Sequence, residues 1–295
     1  DIAPLPHIFL ILWLFWQMRG RMPEGRAWID ELQRRADALD DRAQAELLFT
    51  SAVTALEVGD DESALAAVEG LERLQGRIDD PYLESAAHLA VSWILPIVDD
   101  IDGALQAAST ALDGFRRQNE PFMAFAALTV GMVEMMLGRD EDARTHLTEV
   151  NQLGGQFDNS WLESTARTQL ASLAVAAGHL DEARALLTES MEASDETELS
   201  SLVVTFALVA SAQLALAEGD ARRAVTALGA TDGLRRRAGL RAWPSTRPRE
   251  AELVTRVKQD IDAHDFEEVF AAGSELSHRQ AVALVRSDNT DGATE

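Results

Sequence analysis

Six short polar turns in this chain are near copies of one another: RGRMPEGRAWI, VGDDESALAAV, VDDIDGALQAA, LGRDEDARTHL, AGHLDEARALL and EGDARRAVTAL. The small residue that follows each turn stands at Gly25, Ala64, Ala104, Ala143, Ala183 and Ala224, in steps of 39, 40, 39, 40 and 41. A period near forty means that each copy is one supersecondary unit, which buries its apolar face only against its neighbours. The 295 residues are therefore read as an array and not as a domain built around one centre.

The chemistry of each copy predicts two helices joined by a tight turn. Gly59, Gly138, Gly178 and Gly219 can adopt the left-handed conformation that ends a helix. The acids that follow, such as Asp60, Asp61 and Glu62, or Asp140, Glu141 and Asp142, suit the positive end of the next helix. Long apolar-periodic stretches precede the turns, for example AELLFTSAVTALEV from Ala45 and SSLVVTFALVASAQLALAE from Ser200. Shorter, more charged segments follow them, with apolar residues recurring at three and four. No strand-like alternation is sustained.

Small residues at the repeated position let the second helix approach the first closely, and Leu147, Leu187 and Leu228 are placed to interlock in the same seam. The third copy departs from the pattern. Its turn lacks the glycine, and Pro96 should kink or end the long helix before it. After the sixth pair, Gly239, Pro244 and Pro248 break helicity, so the array is expected to end near Leu240. The expected boundaries are a repeat array over 1–240, capping helices over 241–287 that cover the last repeat, and a disordered tail over 288–295.

Composition narrows the function. Net charge is −24, which repels nucleic acid and anionic membranes at long range. The chain has no cysteine, which excludes disulfide scaffolds, thiolate metal sites and cysteine nucleophiles, and which fits a cytoplasmic setting. The apolar run from Ile8 to Met18 is about half as long as the roughly 20 residues a membrane helix needs, so it reads as a buried helix. No signal-peptide pattern surrounds it, and the missing initiator Met implies a cut or processed chain.

The segments FLILWLFWQMRGRMPEGRAWIDEL, ALGATDGLRRRAGL and FEEVFAAGSELSHRQAVALV carry a further resemblance. With the repeats between them, the stretch from Ile8 to Arg286 resembles the tetratricopeptide-like C-terminal region of actinobacterial multidomain ATPase regulators of the LuxR and AfsR types. It is similar also to the helical region of the maltose-regulon activator. The resemblance implies repeats that sense an inducer or partner and restrain a nucleotide-driven switch, while separate domains bind DNA. This chain has no G-x-x-x-x-G-K-[ST] loop, and its single lysine is Lys258. ATPase and DNA-binding domains would therefore belong to a larger chain, outside Asp1 to Glu295.

Candidates for chemistry are few. The histidines His7, His88, His146, His179, His264 and His278 form no metal-ligand spacing, and read as surface or packed residues. Asp99, Asp100 and Asp102 lack the register and closing Glu of a calcium loop, and read as helix-start acids. No G-x-S-x-G elbow occurs. The segment from Arg222 to Arg249 stands out, at +7 against −31 for the rest. One reading makes it a docking surface for a phosphate, an acidic partner or nucleic acid, carried by Arg235, Arg236, Arg237 and Arg241, with Trp243 as the stacking group. The other makes it helix-terminal charge paired with the acidic body. Trp13, Trp16, Trp28, Trp93 and Trp161 lie on or beside the long helices and read chiefly as core, a minority being available as anchors in a groove.

The expectation is an all-α, right-handed α-solenoid of about six tetratricopeptide-like helix pairs. It would serve as a non-catalytic module that binds a protein segment or small effector in its concave groove, with no cofactor, no metal and no membrane. Two alternatives stay open: a nucleic-acid-binding protein that uses the arginine segment, and an enzyme with a groove-borne site.

Overall fold

The computed structural model describes residues 2–18, 21–192 and 200–286. The tail expected to be disordered lies outside them. The described residues form fifteen α-helices and no strand, twelve that follow the six sequence repeats and three more after them. The pairs are α1 (Leu5–Met18) with α2 (Met22–Gln33), α3 (Asp41–Val58) with α4 (Asp61–Leu74), and α5 (Pro81–Ile94) with α6 (Ile101–Gln118). In chain order there follow α7 (Met123–Met136), α8 (Asp140–Gln156), and the pairs α9 (Ser160–Ala176) with α10 (Leu180–Glu192) and α11 (Ser201–Ala217) with α12 (Ala221–Ala238). The last three are α13 (Arg247–Asp260), α14 (Ala263–Ser274) and α15 (His278–Arg286).

The turns work as their residues require. Gly59 ends α3 at φ +78°, and Gly138, Gly178 and Gly219 are also left-handed. The Asp60 side chain then accepts the Ser63 amide and starts α4, and Asp100 accepts the Gly103 amide to start α6. In the third turn Asp99 takes the left-handed role at φ +61°. Aspartate tolerates that conformation better than most residues, which is how this copy dispenses with glycine. Pro96 acts as expected: α5 stops at Ile94 and a 3-10 turn follows over Leu95–Val98.

The repeated small position is the pivot of each pair. Ala64, Ala104, Ala143, Ala183 and Ala224 are fully buried, and Leu147, Leu187 and Leu228 beside them are buried too. In the first pair the position is Gly25, where an added Cβ would stand 2.4 Å from the Trp16 ring. Alanine is already too large under that indole.

The helices divide between two compact units. Unit 1 holds residues 1–139 together with 239–245, and unit 2 holds 140–238 together with 246–295. In unit 2, α11 is predominantly apolar and buried along almost all of its length, with Thr205 and Ser211 buried in it too. Helices α9, α12, α13 and α15 pack on it, and α14 packs on α12. Gly229, Gly233 and Gly273 set the closeness of that last crossing: a Cβ at Gly233 would stand 2.0 Å from the Ser274 carbonyl oxygen, and one at Gly273 2.4 Å from that of Thr226. No helix of the described residues is long and apolar enough to cross a membrane.

Candidate functional site

The most distinctive surface of unit 1 is built by its first helices, α1, α3 and α5. Trp13, Val53 and Trp93 stand forty residues apart and so hold the same place in three successive repeats. Because the middle copy is the small Val53, Phe49, one turn earlier on α3, fills the space between the two indoles. Its ring lies 6.3 Å from Trp13 and 6.2 Å from Trp93. The Trp93 indole N–H donates to Thr129 Oγ1 of α7 at 2.8 Å, which fixes that ring's orientation.

The row continues into a fourth aromatic group that is remote in sequence. Trp243 lies 5.7 Å from Trp93, ring to ring. It belongs to the segment 239–245, whose residues 240–243 have neither helix nor turn. Leu240, Trp243 and Pro244 are buried and Arg241 is exposed. The Arg241 amide donates to the Glu57 carbonyl at 2.8 Å, and the Arg241 side chain runs over Gly59, where a Cβ would come within 2.5 Å of its Cγ. The Glu57 carbonyl is among the last of α3 and has no partner within the helix. An irregular segment thus lies on the face of α3 and α5, with the Arg241 amide on a helix-end carbonyl and the Trp243 ring tilted at 58° against Trp93.

Beside the aromatic row, α3 carries a buried polar stripe: Glu46, Thr50, Thr54 and Glu57 at helical spacing. Thr50 Oγ1 donates to the Glu46 carbonyl at 3.1 Å, and Thr54 Oγ1 to the Thr50 carbonyl at 2.8 Å. His7 meets Glu46 at 3.1 Å from one end of α1, and Gln17 donates to Glu57 from the other. Burial pushes the Glu57 carboxyl up from an ordinary 4.5 to about 8, and the Gln17 hydrogen bond pulls it part of the way back. Glu57 Oε2 is buried with no hydrogen-bond partner among the described residues.

A second set of hollows lies where the second helices meet the first. One of about 360 Å³ includes Gln44, Leu48, Gly70, Leu74 and Arg77. Another of about 160 Å³ includes Glu84, His88, Thr110, Gly114 and Arg117, the same five positions forty residues on. They are a consequence of the repeat and hold no concentrated set of titratable groups. Among the described residues no group of three or more His, Asp or Glu could hold a metal ion.

The arginines singled out from sequence are split between the units. In unit 2, Arg235 is buried and makes a two-pronged ion pair with Glu250, at 2.6 and 2.8 Å. Arg237 donates to the Ser274 and Leu276 carbonyls at the end of α14, and Arg236 pairs with Asp232 on its own helix. Arg222 faces Asp265 at 3.6 Å, and Arg223 pairs with Glu218. Arg241 and Trp243 belong to the irregular segment of unit 1. Of the other tryptophans, Trp13, Trp16 and Trp93 are buried and Trp161 is half-buried, while Trp28 is 56% exposed. Sequence reasoning missed Glu57, Gln17 and Phe49. The forty-residue spacing of Gln17 and Glu57, two polar residues at equivalent places in otherwise apolar helices, was the available signal.

No protein-family model matches the chain, and no curated protein matches it. Solved structures do. The chain is similar to a Rap protein complexed with competence and sporulation factor, at 16% identity and a TM-score of 0.65, over 94% of this chain and 75% of that one. It is similar to NprR in complex with its cognate peptide NprX, at 12% identity and a TM-score of 0.58, over 91% and 76%. It is also similar to BtubC from P. vanneervenii, at 16% identity and a TM-score of 0.52, over 74% and 91%. At these identities the likeness is one of fold: an all-α array of tetratricopeptide-like helix pairs.

Proposed function

We propose that this chain is a non-catalytic, effector-sensing repeat module of a larger transcription or signalling regulator, and that it takes a protein segment or small effector on the α1, α3 and α5 face of unit 1. The observation that carries the reading is the non-helical segment lying there. A face that satisfies a non-helical backbone through the Glu57 carbonyl, and seats an indole against Trp93, has the features peptide recognition needs: a backbone partner and an aromatic pocket. Two of the structures that share the fold hold competence and sporulation factor or a cognate peptide, in agreement with this reading.

The polar stripe of Glu46, Thr50, Thr54 and Glu57 supports it further, since a purely structural interior is better served by aliphatic residues. The arginines of unit 2 favour this reading over nucleic-acid binding, because Arg235, Arg236 and Arg237 are each engaged within the chain. The test is to pan the full chain against a random-peptide library and map bound peptides by hydrogen exchange. Enriched peptides that protect α3 and α5 are the expected result. No enrichment, together with a mobility shift of duplex DNA at low salt, would overturn it.

A further inference from the structure

We propose that the outer face of α1, carried by Ile8, Ile11 and Phe15, is a self-association surface. Its partner is the same helix of a second copy of this chain, packed antiparallel across a two-fold axis near Ile11. The three side chains are 43%, 64% and 45% exposed, although the apolar run they belong to reads from sequence as a buried helix. The opposite side of α1 is the one packed into unit 1, with Trp13 against Phe49 and Gln17 on Glu57. An effector on the α1, α3 and α5 face and a second copy therefore use different sides of the helix.

The repeat shows that this is a packing face. Forty residues on, the place of Ile11 belongs to Ser51, whose hydroxyl accepts from Gln33 and Arg26 of α2, at 2.7 and 3.3 Å. Eighty residues on, the places of Ile8 and Ile11 belong to His88 and Val91, which line a hollow with Leu71 and Gln75 of α4. In both repeats the second helix of the repeat before meets this face of the first helix. The covered versions each include a polar residue, Ser51 or His88, whereas the exposed version on α1 is wholly apolar. An exposed face more apolar than its covered counterparts marks an interaction site. The sixth repeat of another copy cannot cover it with its second helix, because α14 already packs on α12, backbone against backbone at Gly233. Two copies therefore meet first helix to first helix, the closed arrangement that uses one patch twice.

Charge selects the occupant. Two copies at −24 each repel at long range, and can meet only where the contact itself carries no charge. From Ile2 to Met18 the chain has no Asp, Glu, Lys or Arg. A comparable uncharged run forms α11, but that helix is buried, so it offers nothing to a second copy. The spacing fits as well, since Ile8, Ile11 and Phe15 follow the three-and-four pattern of a helix-pair seam. Antiparallel packing sets Ile8 of one copy beside Phe15 of the other, brings Ile11 to its own counterpart, and opposes the two helix dipoles. The contact is small, so a dissociation constant on the order of micromolar is expected.

Sedimentation equilibrium of the full chain, from about 1 to about 100 μM, brackets such a dimer. The wild type is expected to pass from monomer to dimer over that range. Ile11→Glu should stay monomeric while keeping its helical circular dichroism, because the side chain it replaces is exposed. Added salt screens the repulsion and should tighten the wild-type dimer, whereas weakening would mean ionic contacts and count against the proposal. The chain has no cysteine, so a single introduced one reports the geometry. Ile11→Cys should form a disulfide-linked dimer under mild oxidation about tenfold faster than Thr110→Cys, an exposed position on α6. Equal cross-linking rates overturn the proposal. So does a wild type that is monomeric at the highest concentration, which would leave the face to a helix of another protein.

Discussion

Helices α3 and α11 occupy equivalent places in the second and sixth repeats, and both are buried along almost their whole length, yet they are buried in opposite ways. Around α11 the covering helices meet mainly Val, Leu, Ala and Phe, with Thr205 and Ser211 as buried polar residues, and α12 and α14 join at glycines with backbone against backbone. Around α3 the cover meets Glu46, Thr50, Thr54 and Glu57, and the irregular segment 239–245 donates the Arg241 amide to the Glu57 carbonyl. Apolar burial has no alternative in water and is effectively permanent. The sixth repeat thus packs almost wholly by apolar contact and close backbone approach, whereas the second buries a polar stripe as well.

The comparison breaks first in unit 2. The Arg235 and Glu250 side chains are 11% and 14% exposed, so removing one leaves the other charged, buried and largely unmatched. Arg235→Ala is expected to cost about 3–5 kcal/mol in urea unfolding followed by circular dichroism. Arg236→Ala, whose pair with Asp232 is exposed, should cost less than about 1 kcal/mol in the same measurement. Equal losses would mean that the arginines act as one surface patch. Gly233→Leu comes next, because its Cβ would meet the Ser274 carbonyl at 2.0 Å and the side chain would force α12 and α14 apart. A loss of about 3 kcal/mol is expected, and a loss near zero would show that the glycine crossing is not a weld.

In unit 1 the decisive group is Glu57. Folded, it keeps its proton up to about pH 8, whereas the unfolded chain releases it near 4.5. Between those values the folded state holds the extra proton, so stability is greatest at the acid end and falls as pH rises toward 8. Glu57→Gln cannot ionise and nearly keeps the shape. It should match the wild type near pH 5 and exceed it by about 2 kcal/mol or more at pH 9, at roughly 1.4 kcal/mol per unit of pKa difference. A wild-type stability that is flat from pH 5 to pH 9 would show that the carboxyl is already ionised in the fold.

The sequence carried the repeat, because helix ends and the small pivot are local chemistry: Gly59 and Asp60, or Gly219 and Asp220, announce themselves within two residues. Asp99 in place of glycine was legible as an irregularity, and the structure supplies the conformation behind it. The candidate site was hidden for two reasons. Trp243 was noticed as a neighbour of arginines, but its partner Trp93 lies 150 residues away, and no periodic pattern links an irregular segment to a helix face. Arg235 reads as surface charge on a helix end, and only the fold brings Glu250 to it.

The smallest expected effect is the sharpest test of what the polar stripe is for. The Thr50 and Thr54 hydroxyls donate to carbonyls of their own helix, at Glu46 and Leu47, and at Thr50 and Ser51. Carbonyls within a helix already accept an amide, so such bonds contribute little to the fold. Valine has nearly the shape of threonine and leaves no buried donor behind. Thr50→Val and Thr54→Val should therefore each change stability by less than about 1 kcal/mol, in either direction. If the stripe exists to receive a ligand, these same variants should weaken binding of library-selected peptides while melting as the wild type does. A loss of stability with no change in binding would make the stripe ordinary packing, and would erase the difference between α3 and α11.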